Sequence, residues 1–223
     1  MELAGETRDI RIEPVGVAGT LQLPPGAGAL VVFAHGSGSS RFSPRNVAVA
    51  GALNRRRIAT LLFDLLTPDE EDVRANVFDI PLLAGRLVEA MRSADADPAL
   101  ARLPLGMFGA STGAAAALVA AAMKPDRVGA VVSRGGRPDL AGDALDVVRA
   151  PTLLIVGGAD TAVIELNEQA LARLQGPKAL EIVAGASHLF PEPGALDAVI
   201  ALAGVWFERY LLRPPAGGRS GGA

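Results

Sequence analysis

The chain of 223 residues contains no cysteine and only two histidines, His35 and His188. The absence of cysteine excludes disulfide bonds, thiolate zinc ligands and a cysteine nucleophile. A nucleophile on this chain must therefore be an oxygen or a lysine. Any mechanism that requires an imidazole base has two candidates to choose from.

Long apolar runs and an excess of one charge are also missing. No run approaches the ~20 uncharged apolar residues of a membrane helix, and the first residues lack the basic-then-apolar pattern of a signal peptide. We therefore expect a cytoplasmic protein that does not bind membranes. The formal net charge is -3. Basic residues dominate no face-sized segment, so we expect no nucleic-acid partner.

Short apolar runs, broken by glycine and proline, alternate with helix-like segments along most of the chain. Residues 9–23 alternate polar and apolar side chains around a turn, which predicts an antiparallel hairpin. Further strands are predicted at continuous apolar runs, residues 29–34, 58–66, 105–110, 128–133, 152–156 and 179–183. Helices are predicted where apolar residues recur every three or four positions, residues 44–56, 77–92, 114–123, 163–174 and 196–212.

This alternation predicts an α/β fold with a mostly parallel central sheet of about seven to eight strands and helices on both faces. The hairpin adds antiparallel strands at the N-terminal side. The length suits a single domain, residues 1–212, followed by a disordered tail, residues 213–223. Apolar helix faces are compatible with a monomer or a homodimer.

The pentapeptide Gly109-Ala-Ser-Thr-Gly113 stands between an apolar strand and an alanine-rich helix. A GxSxG sequence in this strand-turn-helix context predicts a nucleophile elbow with Ser111 at its tip. The two glycines lack side chains that would clash where the chain turns sharply. The same pentapeptide also fits a tight turn with a capping serine, whereas a dinucleotide phosphate loop would need the GxGxxG spacing that is absent.

A serine nucleophile needs a base, and His188 follows the last predicted strand. Asp160 follows the strand before it and is expected to orient the histidine, which gives the order Ser, Asp, His of this kind of site. Asp139 is the rival acid, with helix capping as its alternative role. His35 lies in a glycine-rich turn, where it is expected to brace the loop.

Catalysis by a serine nucleophile also needs N–H groups that point at the developing oxyanion. The N–H of Thr112, directly after the nucleophile, is one candidate. The loop of residues 35–38 offers a second, which we assign to Ser37.

Three arginines follow predicted strands and are candidates for binding an acidic substrate group. Arg41 and Arg45 come after the oxyanion loop, and Arg134 ends another strand. Their guanidinium groups can hold a carboxylate or a phosphate through paired hydrogen bonds. Asn46 follows the same loop and is a candidate for lining the entrance of the site. The alternative is that the arginines are solvated while Asn46 and nearby serines cap the first helix.

Four segments together resemble the α/β-hydrolase superfamily, and in particular the dienelactone hydrolase-like family. They are Val32-Phe-Ala-His-Gly-Ser-Gly38, Gly109-Ala-Ser-Thr-Gly113, Leu154-Ile-Val-Gly-Gly-Ala-Asp160 and Ala186-Ser-His188. The resemblance extends over residues 29–212. The named enzyme of the family uses a cysteine nucleophile, whereas position 111 is serine here, so the resemblance implies ester hydrolysis in general.

The resemblance further implies an acyl-enzyme on Ser111, with His188 and Asp160 completing the triad, and no metal or cofactor. Many members of the superfamily insert a cap domain between the sixth and seventh strands. Residues 134–150 are too few to build one, so an open site for a small-molecule ester is expected. The alternatives are an acyltransferase or a cofactor-free perhydrolase with the same triad, and a catalytically idle binding or accessory module.

Overall fold

The computed structural model describes residues 5–212, and the predicted tail, residues 213–223, lies outside them. The strands of the described chain are β1 (Glu6–Ile12), β2 (Val17–Leu23), β3 (Ala29–Ala34), β4 (Ile58–Phe63), β5 (Leu105–Ala110), β6 (Val128–Arg134), β7 (Thr152–Gly157) and β8 (Lys178–Val183). The helices are α1 (Pro44–Arg55), α2 (Pro68–Glu71), α3 (Arg74–Val77), α4 (Ile80–Ala96), α5 (Thr112–Met123), α6 (Thr161–Arg173) and α7 (Ala195–Phe207). A 3-10 helix, Pro138–Asp146, separates β6 from β7, and a π-helical turn, Glu208–Leu212, follows α7.

The eight strands form one sheet in the order β1-β2-β4-β3-β5-β6-β7-β8. β1 pairs with β2 and β2 with β4 in antiparallel fashion, and the other neighbours are parallel. This confirms the predicted α/β fold with its N-terminal hairpin. Because parallel strands share an edge at their carboxyl ends, the loops after β3, β5, β6, β7 and β8 meet there.

The sheet is buried on both faces, which explains why its central strands are continuously apolar. In β3, Leu30 and Val32 contact one core cluster, whereas Val31 and Phe33 contact the other. The first cluster contains residues from α4, α5 and α6, and the second contains residues from α1 and α7. Successive side chains of a strand point to opposite faces, so a strand between two helical layers needs apolar residues at every position.

Two regions bear on the accessibility of the sheet edge. The connection between β6 and β7 holds only the 3-10 helix, so it contains no cap domain, as expected from its length. On the other side, α2 and α3 are short helices that the sequence periodicity does not predict. The predicted helix at residues 77–92 begins at Ile80 instead, where Asp79 accepts a hydrogen bond from the Leu82 N–H.

No helix within residues 5–212 combines the length and the apolar character needed to span a bilayer.

Candidate active site

Ser111 occupies a strained turn between β5 and α5. Its backbone angles are φ 50° and ψ −121°, a conformation that side-chain-bearing residues rarely adopt and that concentrates at functional sites. A Cβ atom on Gly109 would lie 2.4 Å from Ala114 Cα, and one on Gly113 would lie 2.3 Å from the Ala34 carbonyl oxygen. Both glycines are therefore required by the close approach of the chain around Ser111.

His188 and Asp160 are in direct contact. The loop after β8 carries His188, and its Nδ1 lies 2.7 Å from Asp160 Oδ2 at the end of β7. Asp160 stands at the N-cap position of α6 but makes no capping hydrogen bond, so its carboxylate is available to the histidine. With Nδ1–H donating to this carboxylate, Nε2 is the ring nitrogen left to act as a base.

Asp139, the rival acid, has a different partner. Its two carboxylate oxygens accept hydrogen bonds from Arg137 Nε and Nη2 at 2.8 and 2.7 Å. This bidentate contact raises the pKa of the Arg137 guanidinium. Asp139 lies in the first turn of the 3-10 helix, where its carboxylate pairs with Arg137, whereas His188 pairs with Asp160.

His35 braces the loop after β3, as its position in the sequence suggests. Its Nδ1 lies 3.0 Å from the Gly36 carbonyl oxygen, and its Nε2 accepts a hydrogen bond from the Leu65 N–H at 3.1 Å. Both ring nitrogens are thus occupied by the backbone, which requires the Nδ1–H tautomer. The side chain is 6% exposed and ties the loop after β3 to the loop after β4.

The two expected oxyanion donors lie next to each other at the elbow. Thr112 is the first residue of α5, so its N–H has no acceptor within the helix. The N–H of Ser37 donates to Thr112 Oγ1 at 3.0 Å. The hydroxyl of one candidate residue therefore fixes the position of the backbone N–H of the other beside the elbow.

Ser111 and His188 line one pocket of about 370 Å³, together with Arg45 and Arg134. Arg134 is only 5% exposed, and burial, followed by the nearby charge of Arg45, lowers the pKa of its guanidinium to about 10. The Arg134 guanidinium therefore remains charged at neutral pH. Neither Arg45 nor Arg134 forms an ion pair with a carboxylate of the described chain.

Arg41 has a different environment from the one its sequence position suggests. It forms an ion pair with Asp64, directly after β4, and its backbone N–H donates to Asp64 Oδ1 at 2.9 Å. Its guanidinium also stacks on Phe42, 4.1 Å from the ring centroid. Arg41 is absent from the residues that line the pocket, and its guanidinium links the loop after β3 to the loop after β4. The assignment of Arg41 to substrate binding stays a prediction.

Ser43 and Leu189 line the pocket although sequence reasoning did not assign them to the site. Asn46, considered either as lining the entrance or as a helix cap, also lines the pocket. The cap of α1 is Ser43, whose side chain accepts a hydrogen bond from the Asn46 N–H. Asn46 is nevertheless 2% exposed, and its Oδ1 has no partner among the described residues.

Comparison with known proteins gives both close and distant relatives. The chain is 58% identical over 205 residues to proteins from two strains of Mycobacterium tuberculosis named "Putative phosphoribosyl transferase". The alignment covers 92% of this chain and 46% of those proteins, so the chain spans about half the length of the curated relatives it matches. No protein-family model matches the chain.

Solved structures extend the comparison to the whole fold. Est1E from Butyrivibrio proteoclasticus superposes with a TM-score of 0.78 at 17% identity, over 93% of this chain and 99% of that one. This likeness concerns the fold. A dienelactone hydrolase from Anabaena variabilis superposes with a TM-score of 0.90 at 54% identity, over 95% of this chain and 100% of that one. With that identity over the full length of a solved relative, the chain belongs to the dienelactone hydrolase-like family of α/β-hydrolases.

Proposed function

We propose that this protein is a serine hydrolase that cleaves small carboxylic esters through an acyl-enzyme on Ser111. One observation carries the proposal: His188 is held by Asp160 at 2.7 Å while it lines the same pocket as a serine in a strained elbow. A binding module would not need a nucleophile, a base and an acid arranged around one pocket.

Catalysis begins with attack of Ser111 Oγ on the ester carbonyl while His188 Nε2 accepts the hydroxyl proton. Asp160 stabilises the resulting imidazolium and keeps its Nδ1–H in place. Collapse of the tetrahedral intermediate releases the alcohol, which takes the proton from His188. A water molecule then loses a proton to the same nitrogen as its oxygen attacks the acyl-enzyme. The second tetrahedral intermediate collapses, the carboxylic acid leaves, and His188 returns the proton to Ser111 Oγ.

The negative oxygen of each intermediate is stabilised by the N–H groups of Ser37 and Thr112. The Ser37 N–H already points at the elbow through its bond to Thr112 Oγ1. An oxyanion is a stronger acceptor than a neutral hydroxyl, so it competes well for this N–H when it forms. One such donor is worth roughly 3 to 4 kcal/mol of transition-state stabilisation.

The pocket itself favours small esters that carry a negative charge. Its volume of about 370 Å³ lies at the low end of the ~300 to 1,000 Å³ typical of ligand sites. Arg45 and Arg134 present two positive charges beside Ser111. We therefore expect anionic esters to be hydrolysed with a lower KM than neutral esters of the same length.

Hydrolysis of p-nitrophenyl acetate by the wild type, Ser111→Ala and His188→Ala tests the proposal, with circular dichroism as the control for folding. Both variants should lose about 10⁴-fold or more in kcat, as in other triad enzymes. A fluorophosphonate probe should label the wild type and spare Ser111→Ala. A folded wild type that neither reacts nor labels would indicate the idle module, and preferential acyl transfer to added alcohol or peroxide would indicate the acyltransferase or perhydrolase.

A further inference from the structure

We propose that the pocket beside Ser111 recognises a dianionic phosphate group on the substrate, using Arg45, Arg134 and the first turn of α1. The proposal rests on the proposed function, because it names the class of ester that the same pocket takes. The phosphate serves as a binding group only. The bond that breaks is the carboxylic ester, and the phosphate leaves unchanged on one of the two products.

The charge of the pocket is the first argument. Arg134 is 5% exposed and Arg45 is half-buried, and no carboxylate of residues 5–212 forms an ion pair with either. Other arginines of the described chain are paired, among them Arg41, Arg86 and Arg137. Burying a charge without a counter-charge is costly, so two such arginines side by side indicate a ligand that supplies the missing negative charge.

The hydrogen-bonding groups of the pocket are the second argument. The Nε–H groups of Arg45 and Arg134 are buried and have no acceptor within the described residues, so both are available to donate to a bound anion. Asn46 lies in the first turn of α1, a helix of 12 residues whose first turn contains no acidic side chain. The positive end of the helix dipole therefore adds to the two guanidinium charges at this point.

Charge balance distinguishes a phosphate from a carboxylate. A single carboxylate would neutralise one of the two arginines and leave the other uncompensated. A phosphate monoester carries a charge of about −1.5 to −2 at neutral pH and presents three strong acceptor oxygens. Two guanidinium forks, each with five N–H donors, match that set of oxygens. The small pocket then leaves room for a short acyl group.

Calorimetric titration of the Ser111→Ala protein at pH 8 with three small anions tests the inference without catalysis. Methyl phosphate is a dianion at this pH, whereas methyl sulfate has a similar shape and one charge, and acetate is a monocarboxylate. We expect methyl phosphate to bind at least about 10-fold more tightly than either monoanion, one decade being 1.4 kcal/mol. Equal or weaker binding of methyl phosphate would overturn the phosphate assignment.

Three further variants, each built on Ser111→Ala, locate the site. Arg134→Met and Arg45→Met should each weaken methyl phosphate binding by about 10- to 100-fold, as expected for hydrogen bonds to a charged group. If Arg134→Met does not fold, Arg45→Met alone tests the prediction. Arg137→Met removes the same charge from a side chain paired with Asp139 and should leave binding unchanged. Unchanged binding in both pocket variants would contradict the inference.

Failure of this inference is distinguishable from failure of the hydrolase proposal. Hydrolysis of p-nitrophenyl acetate without selective phosphate binding would leave the hydrolase standing and overturn the phosphate site. Selective phosphate binding by a protein that turns over no ester would leave the phosphate site standing and overturn the hydrolase proposal.

Discussion

At the scale of single residues, two carboxylates on neighbouring loops differ in their partners, and the partners predict their roles. Asp160 contacts His188 Nδ1, and Asp139 is held by both arms of Arg137. We expect Asp160→Asn to lower kcat for p-nitrophenyl acetate by about 10⁴-fold, because the amide cannot hold the histidine in the required tautomer.

The matched variant Asp139→Asn removes the same charge outside the triad and should change kcat by less than about threefold, as expected away from the reacting groups. The comparison requires steady-state kinetics of both proteins at one pH. A loss in Asp139→Asn as large as that in Asp160→Asn would show that the acid has been assigned to the wrong loop.

The hydroxyl of Thr112 offers a second prediction at this scale. It accepts the Ser37 N–H at 3.0 Å and so holds a glycine-flanked loop in position before the oxyanion forms. Thr112→Val keeps the shape but removes the acceptor, and Thr112→Ser keeps the acceptor. We expect the valine variant to lose about 10- to 100-fold in kcat with little change in KM. This loss is smaller than the one caused by removing an oxyanion donor altogether, because the Ser37 N–H is still present.

The serine variant should retain most of the activity, since preorganisation of the N–H survives. A higher kcat in Thr112→Val would show that competition between the hydroxyl and the oxyanion for the Ser37 N–H costs more than preorganisation of the loop gains.

The arginines show which residue-level features the sequence could predict. Arg45 and Arg134 follow strands that end at the common edge of the sheet, so topology alone brought them toward Ser111. Arg41 has the same kind of position but pairs with Asp64, which lies 23 residues away and ends another strand. Such a partner depends on the pairing of β3 with β4 and on loop conformation, neither of which hydrophobic periodicity records.

At the scale of elements, the junction of β3 and α5 is set by glycine. A methyl group on Gly113 would lie 2.3 Å from the Ala34 carbonyl oxygen and 2.5 Å from that of His35. Both are backbone atoms that cannot move without displacing β3. We expect Gly113→Ala to lower the free energy of unfolding by about 2 kcal/mol or more, by the strain of overpacking, and to reduce kcat by misplacing Ser111.

Gly85→Ala in α4 is the control, because nothing lies within 4 Å of its would-be Cβ atom. There the change should stabilise the protein by about 0.5 to 1 kcal/mol, since alanine loses less entropy in a helix than glycine does. Urea titrations of both variants give the two values. A neutral Gly113→Ala would show that the elbow can relax around a side chain.

The strands were predictable as elements because burial on two faces requires apolar residues without interruption. The predicted strand of residues 58–66 is three residues too long, because β4 ends at Phe63. Leu65 and Leu66 are buried although they lie beyond the strand, so the apolar run continues past the point where pairing stops. The helices α2 and α3 were not predictable from periodicity, because each has four residues and none is buried. The capping box of Thr67 and Glu70 creates the first of them.

At the scale of the whole molecule, a buried arginine of α4 links the short helix α2 to the core. Arg86 of α4 is 7% exposed and pairs with Glu70 of α2 at 2.7 Å and with Glu89 at 3.1 Å. α2 borders the oxyanion loop, since Glu71 and Ser37 line a common cavity. Anchoring of this segment therefore couples the stability of the fold to the shape of the site.

This anchor predicts a contribution to acid stability. Desolvation raises the pKa of Glu70, but hydrogen bonds from the Thr67 backbone and the charge of Arg86 outweigh it, so the pKa lies below its ordinary value of 4.5. A carboxyl group with a lowered pKa in the folded state stabilises the protein above its unfolded pKa, and this stabilisation is lost as the pH falls through the folded value. Glu70→Gln should therefore lower the free energy of unfolding by about 1 kcal/mol at pH 7.

The difference between the wild type and Glu70→Gln should shrink as the pH falls below 4.5, because the wild-type carboxyl becomes neutral as well. Denaturant titrations followed by the fluorescence of Trp206, the single tryptophan, measure it at several pH values. Asp69→Asn on the same helix, an exposed carboxylate, is the control and should change stability by less than about 0.5 kcal/mol. If the loss in Glu70→Gln is independent of pH, the stabilisation comes from packing of the side chain and the charge of Glu70 contributes nothing to holding α2 on the core.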